Sequence, residues 1–246
     1  EYMHMAAFHG FEQKEFTFEG RKAVLVFPPQ PEAHGNWLLK TEYWDAFPEI
    51  ELEMVRRGYH LAYLQNTSRF APQADCDAKA RFAAFLHREY GLRTRCVPVG
   101  MSCGGAHAVV FAGTHPECVA CVYIDAPVLN YCDFPGRLGD AECETVWERE
   151  FLQTYPGMTR AKLLQFDRHP MNYIDALKAA QIPILMLYGT QDETVRYDCN
   201  GRWLADAYRD APALLTVIPR NLQGHHPHGA CDDPMQIIQF IQAHCT

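Results

Sequence analysis

The sequence predicts an α/β fold with a mainly parallel central sheet and helices on both faces. Three observations carry it. Strand-like and helix-like segments alternate along the 246 residues. The run 183–188 is nearly all apolar, as a strand buried on both faces requires. Gly100-Met101-Ser102-Cys103-Gly104 stands between the apolar run 95–99 and the small-residue stretch 104–110, so strand, tight turn and helix follow one another.

In chain order, residues 14–18 and 22–27 read as an opening hairpin turned by Glu19-Gly20. Residues 60–64 form a short strand preceded by Arg57-Gly58. Across 75–90, Ala80, Phe82, Ala83, Phe85 and Leu86 recur at helical spacing, and Gly91 stops the helix. The strand to Val99, the serine turn and a helix to about Thr114 come next, then a strand over 118–125. From Pro127 to about Ala180, aromatic, charged and Gly/Pro residues mix, with helical stretches near 144–155, 159–166 and 173–180. That segment is longer than an ordinary connection and reads as a helical lid, 127–180, inserted in a single domain of 1–246. After the buried strand at 183–188, residues 196–209 are helical and 214–218 form the last strand. Asp233 caps the terminal helix, with Pro234 at its first position. No internal repeat or low-complexity linker interrupts this order.

Composition narrows the function classes. Hydrophobic residues at 48% and charged residues at 21% fit a globular enzyme rather than a disordered chain. A net charge of -8 without a basic stripe excludes a nucleic-acid partner. No apolar run is long enough to span a bilayer, so no membrane partner is expected. The 10 cysteines are scattered through strands and helices, and a chain with its own core does not need staples. They read as reduced thiols of a cytoplasmic protein. The chain starts at Glu1 rather than Met, with no signal peptide in view, and a removed leader would make it secreted or periplasmic instead. Cys118-Val119-Ala120-Cys121 runs into a strand and reads as buried cysteines rather than a redox pair.

The chemistry is carried by three loops. A serine hydroxyl is a poor nucleophile unless it is held exposed beside a base. Gly100 and Gly104 allow the sharp turn that presents Ser102, and the turn places the Cys103 amide at a helix start, where it can hold an oxyanion. Gly189-Thr190-Gln191-Asp192 sets Asp192 just past the buried strand. Gln223-Gly224-His225-His226-Pro227-His228-Gly229 places histidines between the last strand and the final helix. The order is Ser, Asp, His, with each residue at a strand end. Asp125, ending the preceding strand, competes with Asp192 as the orienting acid, and His226 competes with His225 as the base. Glu193 reads as solvated, His228 as a loop or pocket residue, and His60 and His107 as structural. Three clustered imidazoles can bind zinc, but no helix-spaced carboxylate or thiolate accompanies them, so neither a metal nor a cofactor is expected.

On these motifs the chain resembles the α/β-hydrolase superfamily across nearly its whole length. At finer grain it is similar to a carbohydrate-esterase-like group of small bacterial serine esterases. The segments that match are Asn36-Trp37-Leu38-Leu39-Lys40, Asp125-Ala126-Pro127-Val128 and Gly224 to His228. That group usually carries arginine after the serine and in the tryptophan loop, where this chain has Cys103 and Lys40. Lysine lacks the bidentate fork, so an acidic substrate is not implied. The resemblance implies an α/β-hydrolase fold with Ser102 as nucleophile, His225 as base and Asp192 as acid. The second oxyanion donor is expected between Gly35 and Leu38, with Trp37 chosen, its ring also walling the acyl pocket. Lys40, His226 and Tyr131 are expected to line the substrate site, with Phe134 and Trp147 alongside in the lid. The implied reaction is hydrolysis of a short, acetyl-type ester of a small molecule or oligosaccharide. Peptidase or amidase activity, acyl transfer, and non-catalytic binding on the same scaffold stand as alternatives, and the oligomeric state is open.

Overall fold

The computed structural model describes residues 6–133, 138 and 145–245. Its strands are β1 (Ala6–Phe8), β2 (Phe11–Phe18), β3 (Arg21–Val26), β4 (Trp37–Lys40), β5 (His60–Leu64), β6 (Val97–Met101), β7 (Val122–Asp125), β8 (Ile184–Gly189) and β9 (Leu215–Arg220). They form one sheet in the order β1-β2-β3-β5-β4-β6-β7-β8-β9. The pairings from β1 through β3 to β5 are antiparallel, and those from β5 through β4 to β9 are parallel. All the C-terminal ends of the parallel strands therefore lie on one edge, and the loops that leave this edge build the site.

The helices are α1 (Glu49–Arg56), α2 (Gln73–Tyr90), α3 (Cys103–Thr114), α4 (Val146–Thr154), α5 (Arg160–Leu163), α6 (Ile174–Ala179), α7 (Gly201–Ala207) and α8 (Met235–His244). Strand alternation divides the core into two layers. Ala23 and Leu25 of β3 and Ile184 and Met186 of β8 face α2, α3, α6 and α7. Val24 and Val26, with Leu185 and Leu187, face α1 and α8. Both faces of the sheet are thus covered, which is why β8 carries an unbroken apolar run. The α3 helix is buried from Cys103 to Ala112, matching its small and apolar sequence. Gly91 ends α2 in the left-handed conformation, at φ 68°.

Two elements have no clear signature in the sequence. The β4 strand is only Trp-Leu-Leu-Lys and is buried throughout, so it shows neither length nor alternation. The α1 helix starts without a side-chain cap. Around α4 and α5 an aromatic cluster of Phe70, Tyr131, Phe151, Tyr155 and Phe166 forms a small core. The α6 helix packs on α3. The nine described cysteines are all free. Among the described residues, no helix is long and apolar enough to cross a membrane.

Candidate active site

The turn after β6 holds Ser102 at φ 55° and ψ −119°. Such a backbone is rare for a residue with a Cβ, and it costs about 1–3 kcal/mol that surrounding structure must offset. The offset is visible in the pairing. Ser102 N donates to Asp125 O at 3.0 Å, and Ser102 O accepts from Gly105 N at 2.9 Å and Val128 N at 3.0 Å. Gly100 makes the turn sterically possible, because a Cβ there would lie 2.2 Å from the Gly104 carbonyl oxygen.

Two further loops deliver an imidazole and a carboxylate. Asp192 follows the end of β8, and its Oδ1 accepts the amides of Thr194 and Val195, each at 2.9 Å. That leaves Oδ2 to accept from His225 Nδ1 at 2.8 Å, while His225 Nε2 faces Ser102 Oγ at 3.1 Å. With the Nδ1 proton directed at the carboxylate, Nε2 is the nitrogen free to accept the serine proton. The acid and histidine loops meet over Gly189, where a Cβ would lie 2.2 Å from Gly224 O. Burial raises the Asp192 pKa, but the bonds from His225 and the Val195 and Thr194 amides outweigh it and hold the carboxyl below its usual range.

The competing acid is otherwise engaged. Asp125 ends β7 fully buried, with Oδ1 3.3 Å from Arg220 Nε and Nη2. Its Oδ2 accepts Gly229 N at 2.7 Å and lies 3.3 Å from His228 Nδ1. Arg220, 1% exposed at the end of β9, donates to the carbonyls of Pro227 (2.8 Å), His225 (3.2 Å) and Gly224 (3.3 Å) and to Gln223 Oε1 (3.1 Å). One guanidinium thus satisfies the inward carbonyls of the histidine loop and fixes its path. Sequence reasoning missed Arg220. Its only trace there is an arginine closing the last strand, which looks like any solvated strand end.

Several expected site residues stand elsewhere. Trp37 is neither an oxyanion donor nor a pocket wall. It opens β4, paired with His60 at the start of β5, at the strand end away from Ser102. Its Nε1 donates to Arg93 O at 2.8 Å and its ring lies in the core. The Trp37 segment is a strand start rather than a loop, and a buried four-residue strand shows no period in the sequence. Lys40 does not reach a ligand either. Its ammonium is buried beneath α1, donating to Glu51 and to Ala46 O at 3.0 Å. Tyr131 is buried in the insertion's aromatic core, its hydroxyl donating to Phe70 O at 2.6 Å. Phe134 lies outside the described residues. The loop that does leave the C-terminal end of β4 is Thr41-Glu42-Tyr43. Thr41 Oγ1 donates to Gly104 O at 2.7 Å, which pins this loop against the start of α3. Tyr43 sits at φ 54°, and its amide donates to Glu42 Oε1 at 3.1 Å.

A cavity of about 250 Å³ is lined by Ser102, Cys103, Tyr43, Phe47, Trp147 and the three histidines of the loop. The exposed His226 stacks on Phe47 with ring centroids 5.5 Å apart. Burial, with the neighbouring imidazoles, lowers the His226 pKa. Burial also lowers that of His228 against the opposing pull of Asp125. The Cys103 thiol is pushed up to about 12 by burial and stays protonated, so it is no rival to the serine hydroxyl. Trp147 is held over the cavity by Arg69, whose guanidinium lies 4.0 Å from its ring and pairs with Glu150 at 2.6 Å. A second cavity of about 610 Å³ adjoins the first through shared walls at Phe47 and His228, and its lining includes Ile50, Pro227, Met235 and Ile238.

No protein-family model and no curated protein matches the chain. Solved structures do. TT1662 from Thermus thermophilus aligns with a TM-score of 0.64 at 15% identity, over 96% of this chain and 98% of that one. The S-formylglutathione hydrolase of Agrobacterium tumefaciens aligns at 0.62 and 15% identity, over 97% and 95%. The acylaminoacyl peptidase of Pyrococcus horikoshii aligns at 0.70 and 14% identity, over 95% of this chain but 42% of the peptidase. The chain likewise spans 35% of the length of two bacterial dipeptidyl peptidases it matches. These likenesses, with the strand order and the placement of the site at the parallel strand ends, show that the chain has the α/β-hydrolase fold.

Proposed function

We propose that the chain is a serine hydrolase that cleaves carboxylic esters through an acyl-enzyme. The observation that carries this reading is the continuous line from Ser102 Oγ to His225 Nε2 (3.1 Å) and from His225 Nδ1 to Asp192 Oδ2 (2.8 Å). In this mechanism His225 takes the hydroxyl proton as Ser102 Oγ attacks the ester carbonyl carbon. Asp192 stabilises the imidazolium that forms. The carbonyl electron pair moves onto oxygen, which is held by the Cys103 amide at the start of α3 and by the Tyr43 amide, in competition with the Glu42 carboxylate. Collapse expels the alcohol, protonated by His225. Water, deprotonated by the same imidazole, then releases the acid and restores Ser102.

The small aromatic-walled cavity beside Ser102 favours a short acyl group such as acetyl. A carbohydrate as the alcohol is supported by the sequence resemblance alone. The adjoining apolar cavity instead favours an apolar alcohol. A peptidase reading is supported by the likeness to the acylaminoacyl peptidase and the two dipeptidyl peptidases, of which the chain spans 42% and 35%, whereas the S-formylglutathione hydrolase is matched over 95% of its length. The test is turnover of 4-nitrophenyl esters from acetyl to octanoyl, acetylated sugars and aminoacyl anilides by wild type and Ser102→Ala. Short-chain ester turnover that Ser102→Ala abolishes is the expected result. Turnover unchanged by that substitution, or confined to anilides, overturns the proposal.

A further inference from the structure

We propose that His225, His226 and His228 form a site for a divalent transition metal of the Zn²⁺ type, and that filling it switches off hydrolysis at Ser102. The binding half stands on the geometry of the loop. The inhibition half rests on the reading of His225 as the base.

One ring nitrogen from each of the three residues lies within 4.8 Å of the other two. The rings pack edge to face, with centroids 4.7 Å apart for His225 with His226, 4.7 Å for His225 with His228 and 5.1 Å for His226 with His228. Tetrahedral zinc with Zn–N bonds of about 2.0–2.1 Å needs ligand nitrogens roughly 3.4 Å apart. The trio must therefore close by about 1.4 Å at most, within reach of side-chain rotation. His226 is exposed and held by stacking on Phe47, so it is the ring that can swing.

His225 is already oriented as a metal-bound histidine is, with Nδ1 bonded to Asp192 at 2.8 Å, while His228 Nδ1 lies 3.3 Å from Asp125 Oδ2 without a hydrogen bond. A carboxylate behind Nδ1 fixes the tautomer and turns a more basic Nε2 toward a metal. An all-imidazole donor set selects zinc, copper, nickel or cobalt over magnesium and calcium, which prefer oxygen ligands. The sequence offers no helix-spaced ligand pair, because here one tight loop gathers the donors. All three histidines line the same cavity, and the exposed His226 opens it to solvent.

Ser102 Oγ stands 3.1 Å from His225 Nε2. The Nε2 lone pair that accepts the serine proton is the one a metal would take. Metal occupancy and general-base catalysis therefore exclude one another.

The test uses the full chain and Zn²⁺ itself, titrated in competition with a chromophoric chelator, with Co²⁺ as a spectroscopic stand-in. One ion per chain is expected, weakened about tenfold or more in His226→Ala. That substitution is at an exposed ring, and circular dichroism checks that the variant is folded. Ester turnover should fall in step with Zn²⁺ occupancy and return on chelation. Ser102→Ala should still bind Zn²⁺. If no ester is hydrolysed by any form, the functional reading fails while the chelator titration still decides the site. Equal affinity in wild type and His226→Ala overturns the proposal, as does a thiolate-to-cobalt charge-transfer band that assigns the ion to cysteines. Full turnover with the ion bound overturns the inhibition.

Discussion

Asp192 and Asp125 each meet an imidazole Nδ1 of the same loop, at 2.8 Å and 3.3 Å, yet the two pairs are built for different work. Beyond His225 lie an accessible cavity and the Ser102 hydroxyl, so its second nitrogen has a proton to receive. Asp125 shares its charge with a buried guanidinium and a backbone amide, and its partner His228 is 5% exposed. A carboxylate–imidazole pair can serve as an oriented general base when the far nitrogen faces a hydroxyl. It serves as a strut when the carboxylate is committed to a buried cation. The second pair also supports the first, because Arg220, held by Asp125, binds the carbonyl of His225 itself.

Neutralising each carboxylate in turn separates the two pairs. Asp192→Asn should lower kcat by about 10⁴ with the fold intact, since the amide no longer orients the imidazole or stabilises its cation. Turnover close to wild type in that variant would mean that Asp192 is not the orienting acid.

Asp125→Asn should show the opposite balance. It leaves Arg220 buried without its counter-charge, a loss of about 3–5 kcal/mol of unfolding free energy, read as a lower urea midpoint. The double variant Asp125→Asn/Arg220→Met should recover part of that stability while kcat stays low, because the histidine loop has lost its clamp. A double variant as active as wild type would show that the clamp does not position His225.

The Asp192 pKa is depressed in the folded chain, so its contribution to stability is fully present above the ordinary aspartate value of about 4. It is lost as pH falls through the depressed value. Asp192→Asn should flatten this limb of a stability-versus-pH curve and lower the plateau at neutral pH, where the carboxylate's contribution is fully present. A limb of unaltered slope would remove Asp192 as its source.

The smallest expected effect is at a residue remote from both pairs. Trp37→Phe loses the bond to Arg93 O and should cost about 1 kcal/mol in stability with kcat unchanged. A fall in kcat without loss of stability would return Trp37 to the site.

From the sequence by itself came the α/β architecture, the elbow at Ser102, and the order of Ser102, Asp192 and His225 along the chain. These rest on local rules. Apolar runs mark β6 and β8, helical spacing marks α2, and Gly-rich turns mark the strand ends, all legible within a few residues. The tertiary structure alone decided the rest. It paired Asp192 with His225 and Asp125 with Arg220, because long-range partners are not written in the local sequence. It placed Trp37 at the start of β4 and Thr41–Tyr43 beside α3, because a buried four-residue strand carries no period. It took Lys40 and Tyr131 into the interior, where Glu51 and the Phe70 carbonyl receive their polar ends. Burial is set by what folds over a residue from elsewhere in the chain, and that information is not local.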